Sequence, residues 1–154
     1  MTKNLSNKYL LFILAVVGGI YLRSSWGKIS GGEFVGTLGG TLTKFASKNP
    51  YPWVQSFLQN TAIPNSNLFG LLTMWGEFLV AGSLIISSLY LFFSKKKSSL
   101  IVLLLILGSL GGMFLNMVFW FSSGYTSPST DGLNLLMFVV EFTGLVYGLK
   151  LLKS

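Results

Sequence analysis

Four apolar stretches, at residues 9–28, 68–93, 98–121 and 133–152, dominate this chain of 154 residues. A helix needs about 20 predominantly apolar residues to cross the hydrocarbon core of a bilayer. The last three stretches meet that length. The first has a clean apolar core at 9–22 and is then interrupted by Arg23. With no water in the bilayer, a spanning segment must satisfy its backbone hydrogen bonds internally, which selects helices. The expected fold class is therefore all-α: an integral membrane four-helix bundle, a single domain over 1–154, with a long extracytoplasmic loop between helices one and two. Composition agrees, since 51% of residues are hydrophobic and only 10% charged, against roughly 25% charged in a soluble domain.

Residues 1–22 also resemble a signal peptide, with Lys3 and Lys8 ahead of the apolar run. No small-x-small cleavage site follows, because the next residues are Arg23, Ser24, Ser25 and Trp26. We read the segment as an uncleaved first helix. Cytoplasmic connections are enriched in Lys and Arg. An inside N-terminus puts Lys3, Lys8, Lys95, Lys96, Lys97, Lys150 and Lys153 in the cytoplasm, and Arg23, Lys28, Lys44 and Lys48 outside. The expectation is a multi-pass protein of the cell membrane, with the bilayer as its first partner and both termini cytoplasmic. The net charge of +7 then reflects topology. No platform of interleaved basic and aromatic residues suggests nucleic acid as a partner.

The sequence contains neither Cys nor His. Thiolate-held clusters and His-ligated haem are excluded, and the usual zinc and copper ligands are missing. No metal or haem is expected in this chain. Any redox group would be an organic molecule such as a quinone, or would belong to a partner. The connection at 29–67 carries Phe34, Phe45, Tyr51, Trp53 and Phe57 beside Pro50, Pro52 and Pro64. Trp and Tyr favour the headgroup layer, so short interfacial helices are expected near 33–47 and 52–60, capping the outer end of the bundle.

Ionisable residues inside spans are costly and usually face the bundle interior. Glu77, Asn116 and Glu141 lie within spans two, three and four, and Arg23 near the end of span one. At 1.5 Å per residue, Glu77 lies about 14 Å from the start of its span, Glu141 about 12 Å, and Asn116 and Arg23 each about 8 Å inside the outer boundary. All four are expected in one layer of the outer half. Helical phase groups Asn134, Glu141, Gly144 and Gly148; Gly108, Gly112 and Asn116; Gly70, Glu77, Ala81 and Ser88; and Gly19 with Arg23. Small residues allow close helix approach, so these faces are expected to point inward together. Arg23 would pair with one carboxylate and leave Glu77 and Glu141 with separated proton affinities, suited to catalytic proton transfer. The plainer reading is a structural Arg–Glu pair.

Three stretches resemble one family. Gly18, Gly19, Trp26, Gly27 and Lys28 are similar to the first helix of the DoxX/DoxD family. Residues 75–84, beginning Trp75-Gly76-Glu77, look like its second helix. Asn116, Gly124, Ser127, Pro128, Gly132 and Asn134 resemble its crossing between helices three and four. The resemblance implies a four-helix membrane module, in some members the membrane subunit of a thiosulfate:quinone oxidoreductase. It implies a quinone as cofactor, and a second oxidoreductase subunit or a homo-oligomer as partner. Lys28, Glu77, Asn116 and Asn134 match family positions. A quinone head is expected among the outer halves of the helices, with Arg23, Trp75, Trp120 and Tyr125 beside it. The alternative is a non-enzymatic helper, receptor or transporter module for a lipid or small solute.

Overall fold

The computed structural model describes residues 2–94 and 98–153, with side chains from residue 7 onward. Lys95–Lys97, and the side chain of Lys3, on which much of the expected orientation rests, lie outside the described residues. Among the described residues six α-helices follow one another: α1 (Thr2–Gly31), α2 (Phe34–Lys48), α3 (Pro52–Phe57), α4 (Ser66–Phe93), α5 (Ser99–Ser123) and α6 (Pro128–Leu152). No strand occurs among the described residues. Asn7–Gly31, Ser66–Phe93, Ser99–Thr126 and Pro128–Leu152 are long and apolar enough to cross a membrane, as the sequence suggested. The first span is longer than expected, because the helix continues through Arg23 and Lys28.

Helices α1, α4, α5 and α6 form an antiparallel ring in which α1 packs on α4, α4 on α5, α5 on α6 and α6 back on α1. Small residues set the close approaches. A Cβ on Gly18 would come within 2.8 Å of Ile85 on α4, and one on Gly108 within 2.8 Å of Ser83. One on Gly144 would meet Leu14 at 2.8 Å and Ser109 Oγ at 2.9 Å. Leu14, Val17, Tyr21, Leu84 and Leu105 fill the centre. Phe12, Leu79, Phe93 and Phe114 are exposed on the outside, where lipid tails would replace water as their solvent in a membrane.

The segment at 29–67 is not an open loop. Gly32, at φ 70°, supplies the left-handed residue that often follows a helix C-terminus and lets the chain fold back into α2. Leu38, Leu42 and Ala46, at spacings of four, form the buried stripe of α2. Pro52 opens α3 at a position where a missing N–H costs nothing, and α3 runs on through a π-helical turn, Leu58–Ala62. Together α2 and α3 build a second core with Val54 and Leu58. Buried Asn49 ties this cap to the bundle. Its Nδ2 donates to the Phe121 and Ser122 carbonyls at 3.0 and 3.2 Å, and its Oδ1 accepts from the Tyr51 N–H at 3.0 Å.

Candidate functional site

A cavity of about 870 Å³ lies between α4 and α5 under the α2–α3 cap. Leu38, Leu42, Phe45, Leu58, Val80 and Leu115 supply apolar wall. Leu72, Leu79, Leu107 and Phe114 also line it and are exposed on the outer surface of the bundle. Its mouth therefore opens sideways, towards the region lipid tails would occupy. Polar groups are few: Thr41, Thr73, Ser83, Ser122, Ser123 and the cation Lys28. Both the size and the mostly apolar lining suit a lipophilic ligand with a small polar head.

Lys28 stands at the junction of the cavity and the bundle interior. Its ammonium pairs with the Glu77 carboxylate, donates to Ser24 Oγ at 3.0 Å and sits 5.0 Å from the centre of the Phe34 ring. The Lys28 side chain keeps 19% of its surface exposed and Glu77 only 3%, so the carboxylate is sealed behind the cation that faces the cavity. This corrects the expected pairing of Arg23. Arg23 is exposed on the outer side of α1, and Gly19, one turn before it, has open space where a Cβ would project. The inward stripe of α1 is instead Leu14, Val17, Tyr21 and Ser25, all buried, with Lys28 one turn further on.

Behind Lys28 and Glu77 runs a second polar group. Glu141 on α6 is fully buried, and its Oε2 accepts from Asn116 Nδ2 at 2.8 Å. Tyr21 donates its hydroxyl proton to the Gly112 carbonyl at 3.1 Å. The Glu141 carboxyl packs against the same Gly112, and Tyr21 shares the inward stripe of α1 with Lys28, the partner of Glu77, two turns further on. The expected inward faces are confirmed on three helices: Gly70, Glu77, Ala81 and Ser88; Gly108, Gly112 and Asn116; and Asn134, Glu141, Gly144 and Gly148 are all buried.

The remaining expected residues scatter. Asn134 is buried and donates to the Thr130 carbonyl at 2.8 Å. With Asn116 and Trp120 it lines a small pocket of about 130 Å³ between α5 and α6, separate from the large cavity. Trp120 Nε1 donates to Asp131, and Tyr125 donates to the Phe45 carbonyl at 2.9 Å; both tie the α5–α6 crossing in place. Trp75 is exposed on the outside of α4, edge-on to Phe78. In the same crossing, Ser127 caps α6 by accepting from the Thr130 N–H at 3.1 Å, with Pro128 at the first helical position. Much of that motif thus has a local structural cause.

Tyr21, Asn49 and Ser109 were not singled out in the sequence. Tyr21 is hidden in an apolar run, but its spacing from Leu14, Val17 and Ser25 marks the buried stripe. Asn49 precedes Pro50, a restriction that favours extended backbone there; nothing local signals its distant carbonyl partners. Among the described residues no cluster of acidic side chains could hold a metal ion. No family profile, curated protein or solved structure matches this chain.

Proposed function

We propose that this chain is the membrane subunit of a quinone-linked oxidoreductase. The quinone enters the cavity sideways from the bilayer, with its carbonyl head towards Lys28 and its tail leaving between α4 and α5. The observation carrying this reading is the large apolar cavity, open to the lipid side and holding a single cation backed by a buried carboxylate. The Lys28 ammonium is a hydrogen-bond donor suited to a quinone carbonyl. The likeness of Lys28, Glu77, Asn116 and Asn134 to the DoxX/DoxD pattern supports the same reading. Reducing a quinone to a quinol takes two electrons and two protons. This chain has no Cys or His, so the electrons come from a partner subunit or a small extracytoplasmic reductant. Both termini are cytoplasmic in this proposal, which places the α2–α3 cap and the cavity in the outer half.

A module that holds a lipid without redox chemistry uses the same cavity, and the weakly polar lining favours it as the second reading. Titration of a short-chain ubiquinone into the purified protein, followed by quenching of its tryptophans, separates the two. Saturable binding is expected, weakened at least about tenfold, or 1.4 kcal/mol, by Thr73→Trp, which fills the cavity. Absence of saturable quinone binding, with phospholipid retained by the wild type and lost in Thr73→Trp, would establish the lipid module instead.

A further inference from the structure

Among the described residues, three side-chain atoms in the bundle interior are buried without a hydrogen-bond partner in the chain: Glu141 Oε1, Ser109 Oγ and Ser88 Oγ. Buried polar atoms are nearly always satisfied, so each such exception needs a reason. Two of them are neighbours. Glu141 sits against Gly112, and Ser109, one turn away on α5, sits against Gly144, one turn away on α6. Glu141 and Ser109 therefore occupy successive levels of one helix interface. Ser88 lies on the buried face of α4 that also carries Glu77, Ala81 and Leu84. It is three turns below Glu77 and about 8 Å from the α4 C-terminus at Phe93. Partly buried Tyr147 packs against the same core, one turn past Gly144 towards the C-terminal end of α6.

The polar groups thus descend through the bundle in order: the Lys28–Glu77 pair at the cavity, Tyr21, Glu141 with Asn116, Ser109, and Ser88. We propose that this column is a proton path that joins the α4 C-terminal end of the bundle to the cavity, with ordered waters bridging the three unpartnered oxygens. Chains of acidic and hydroxyl groups inside a membrane bundle characteristically mark such relays. Buried waters settle where otherwise unsatisfied polar groups can each give them a bond. In each step an O–H bond at one oxygen breaks as another forms on the next, and no electron moves. Glu141 is the carrier, because Oε2 is held by Asn116 while Oε1 is left to take or release the proton. Tyr21 passes it towards Glu77. Asn116 and Gly112 of α5 touch Glu141, Tyr21 of α1 bonds the Gly112 carbonyl, Ser109 lies one turn away along α5, and Glu77 is the acidic group that α4 contributes to the interior. The Lys28 ammonium faces Glu77 from α1. The path rests on the bundle interior alone and does not require the cavity ligand to be a quinone.

Infrared spectroscopy tests this on the full chain in phosphatidylcholine nanodiscs, without added quinone, after transfer to D₂O. The Glu141 carboxyl band, identified by its loss in Glu141→Gln, is expected to exchange rapidly in the wild type. Ser109→Ala and Ser88→Ala are each expected to slow that exchange about tenfold. Both keep the fold, since neither hydroxyl has a protein partner to lose. Ser109→Val, which also excludes water, is expected to slow it further. Exchange as fast in both Ala variants as in the wild type, or no exchanging Glu141 band in the wild type, would overturn the path.

Discussion

Removing Lys28 tests the arrangement at the cavity wall most directly. Lys28→Met keeps the length and the apolar stem but deletes the charge, and leaves Glu77 as a carboxylate with a side chain only 3% exposed. Breaking a buried pair from one side costs about 3–5 kcal/mol, because the remaining charge has neither water nor partner. Glu77→Gln is expected to cost less, about 1–2 kcal/mol. The Lys28 side chain is 19% exposed, the cavity and Ser24 still receive its ammonium, and the amide oxygen can still accept from it. The double variant Lys28→Met with Glu77→Leu removes both charges and is expected to recover most of the loss, as apolar replacements of buried pairs often do. For a chain of this size each kcal/mol shifts the midpoint by about 2–4 °C. Lys28→Met should therefore unfold roughly 10 °C below the wild type in detergent, and the difference should persist in high salt, since a buried pair is little screened. A Lys28→Met protein as stable as the wild type, or a double variant no better than Lys28→Met alone, would refute the claim that the pair is buried and coupled.

Two further outcomes follow from the packing and the charge distribution. Gly112→Leu is expected to abolish folded protein, because any Cβ there falls onto the Glu141 carboxyl, whereas Leu104→Ala, at a half-buried position of α5, should lower yield only mildly; equal yields by size-exclusion chromatography would contradict the α5–α6 contact. Reporters fused after Ser154 or inserted at Lys96 are expected to read cytoplasmic, and one at exposed Asn60 external; an external signal at Lys96 would invert the proposed orientation.

The spans were legible because two independent patterns coincide in them. Apolar length identifies a helix that can live in lipid, and the spacing of small and polar residues identifies its inner face. On α4, α5 and α6 the small residues and the polar residue share a stripe, and the same residues are buried in the structure. On α1 the rule failed for a physical reason. Gly18 and Gly19 are adjacent, and either could define the contact face. A contact face through Gly19 would carry Arg23 inward with it, because four residues separate them. The actual contact is Gly18 on Ala81 and Ile85. A one-residue change of phase turns an α-helix by about 100°, enough to exchange an inward Arg23 for an inward Tyr21 and to hand the ion pair to Lys28.

The cavity was less legible than the polar layer, and the difference lies in how each is built. A buried carboxylate announces itself in a single position, because its cost inside a membrane demands a partner. A lipophilic cavity is made of ordinary apolar residues contributed by α2, α3, α4 and α5, none of which differs in type from its lipid-facing neighbours. Its existence depends on where α2 and α3 come to rest. That is decided by side-chain bonds from Asn49 and Tyr125 to carbonyls more than seventy residues away. Such bonds recognise backbone, and any residue can supply a carbonyl, so no pattern at the receiving end betrays them. The structural consequence is a bundle with two unlike sides. The α4–α5 side encloses the large cavity under the cap, while Gly112, Gly144 and Gly148 bring α5 and α6 together around the buried polar groups. On α1, Lys28 lines the cavity and Tyr21, two turns earlier on the same buried stripe, bonds Gly112 on α5, so the phase of that one helix decides which residues join the two sides.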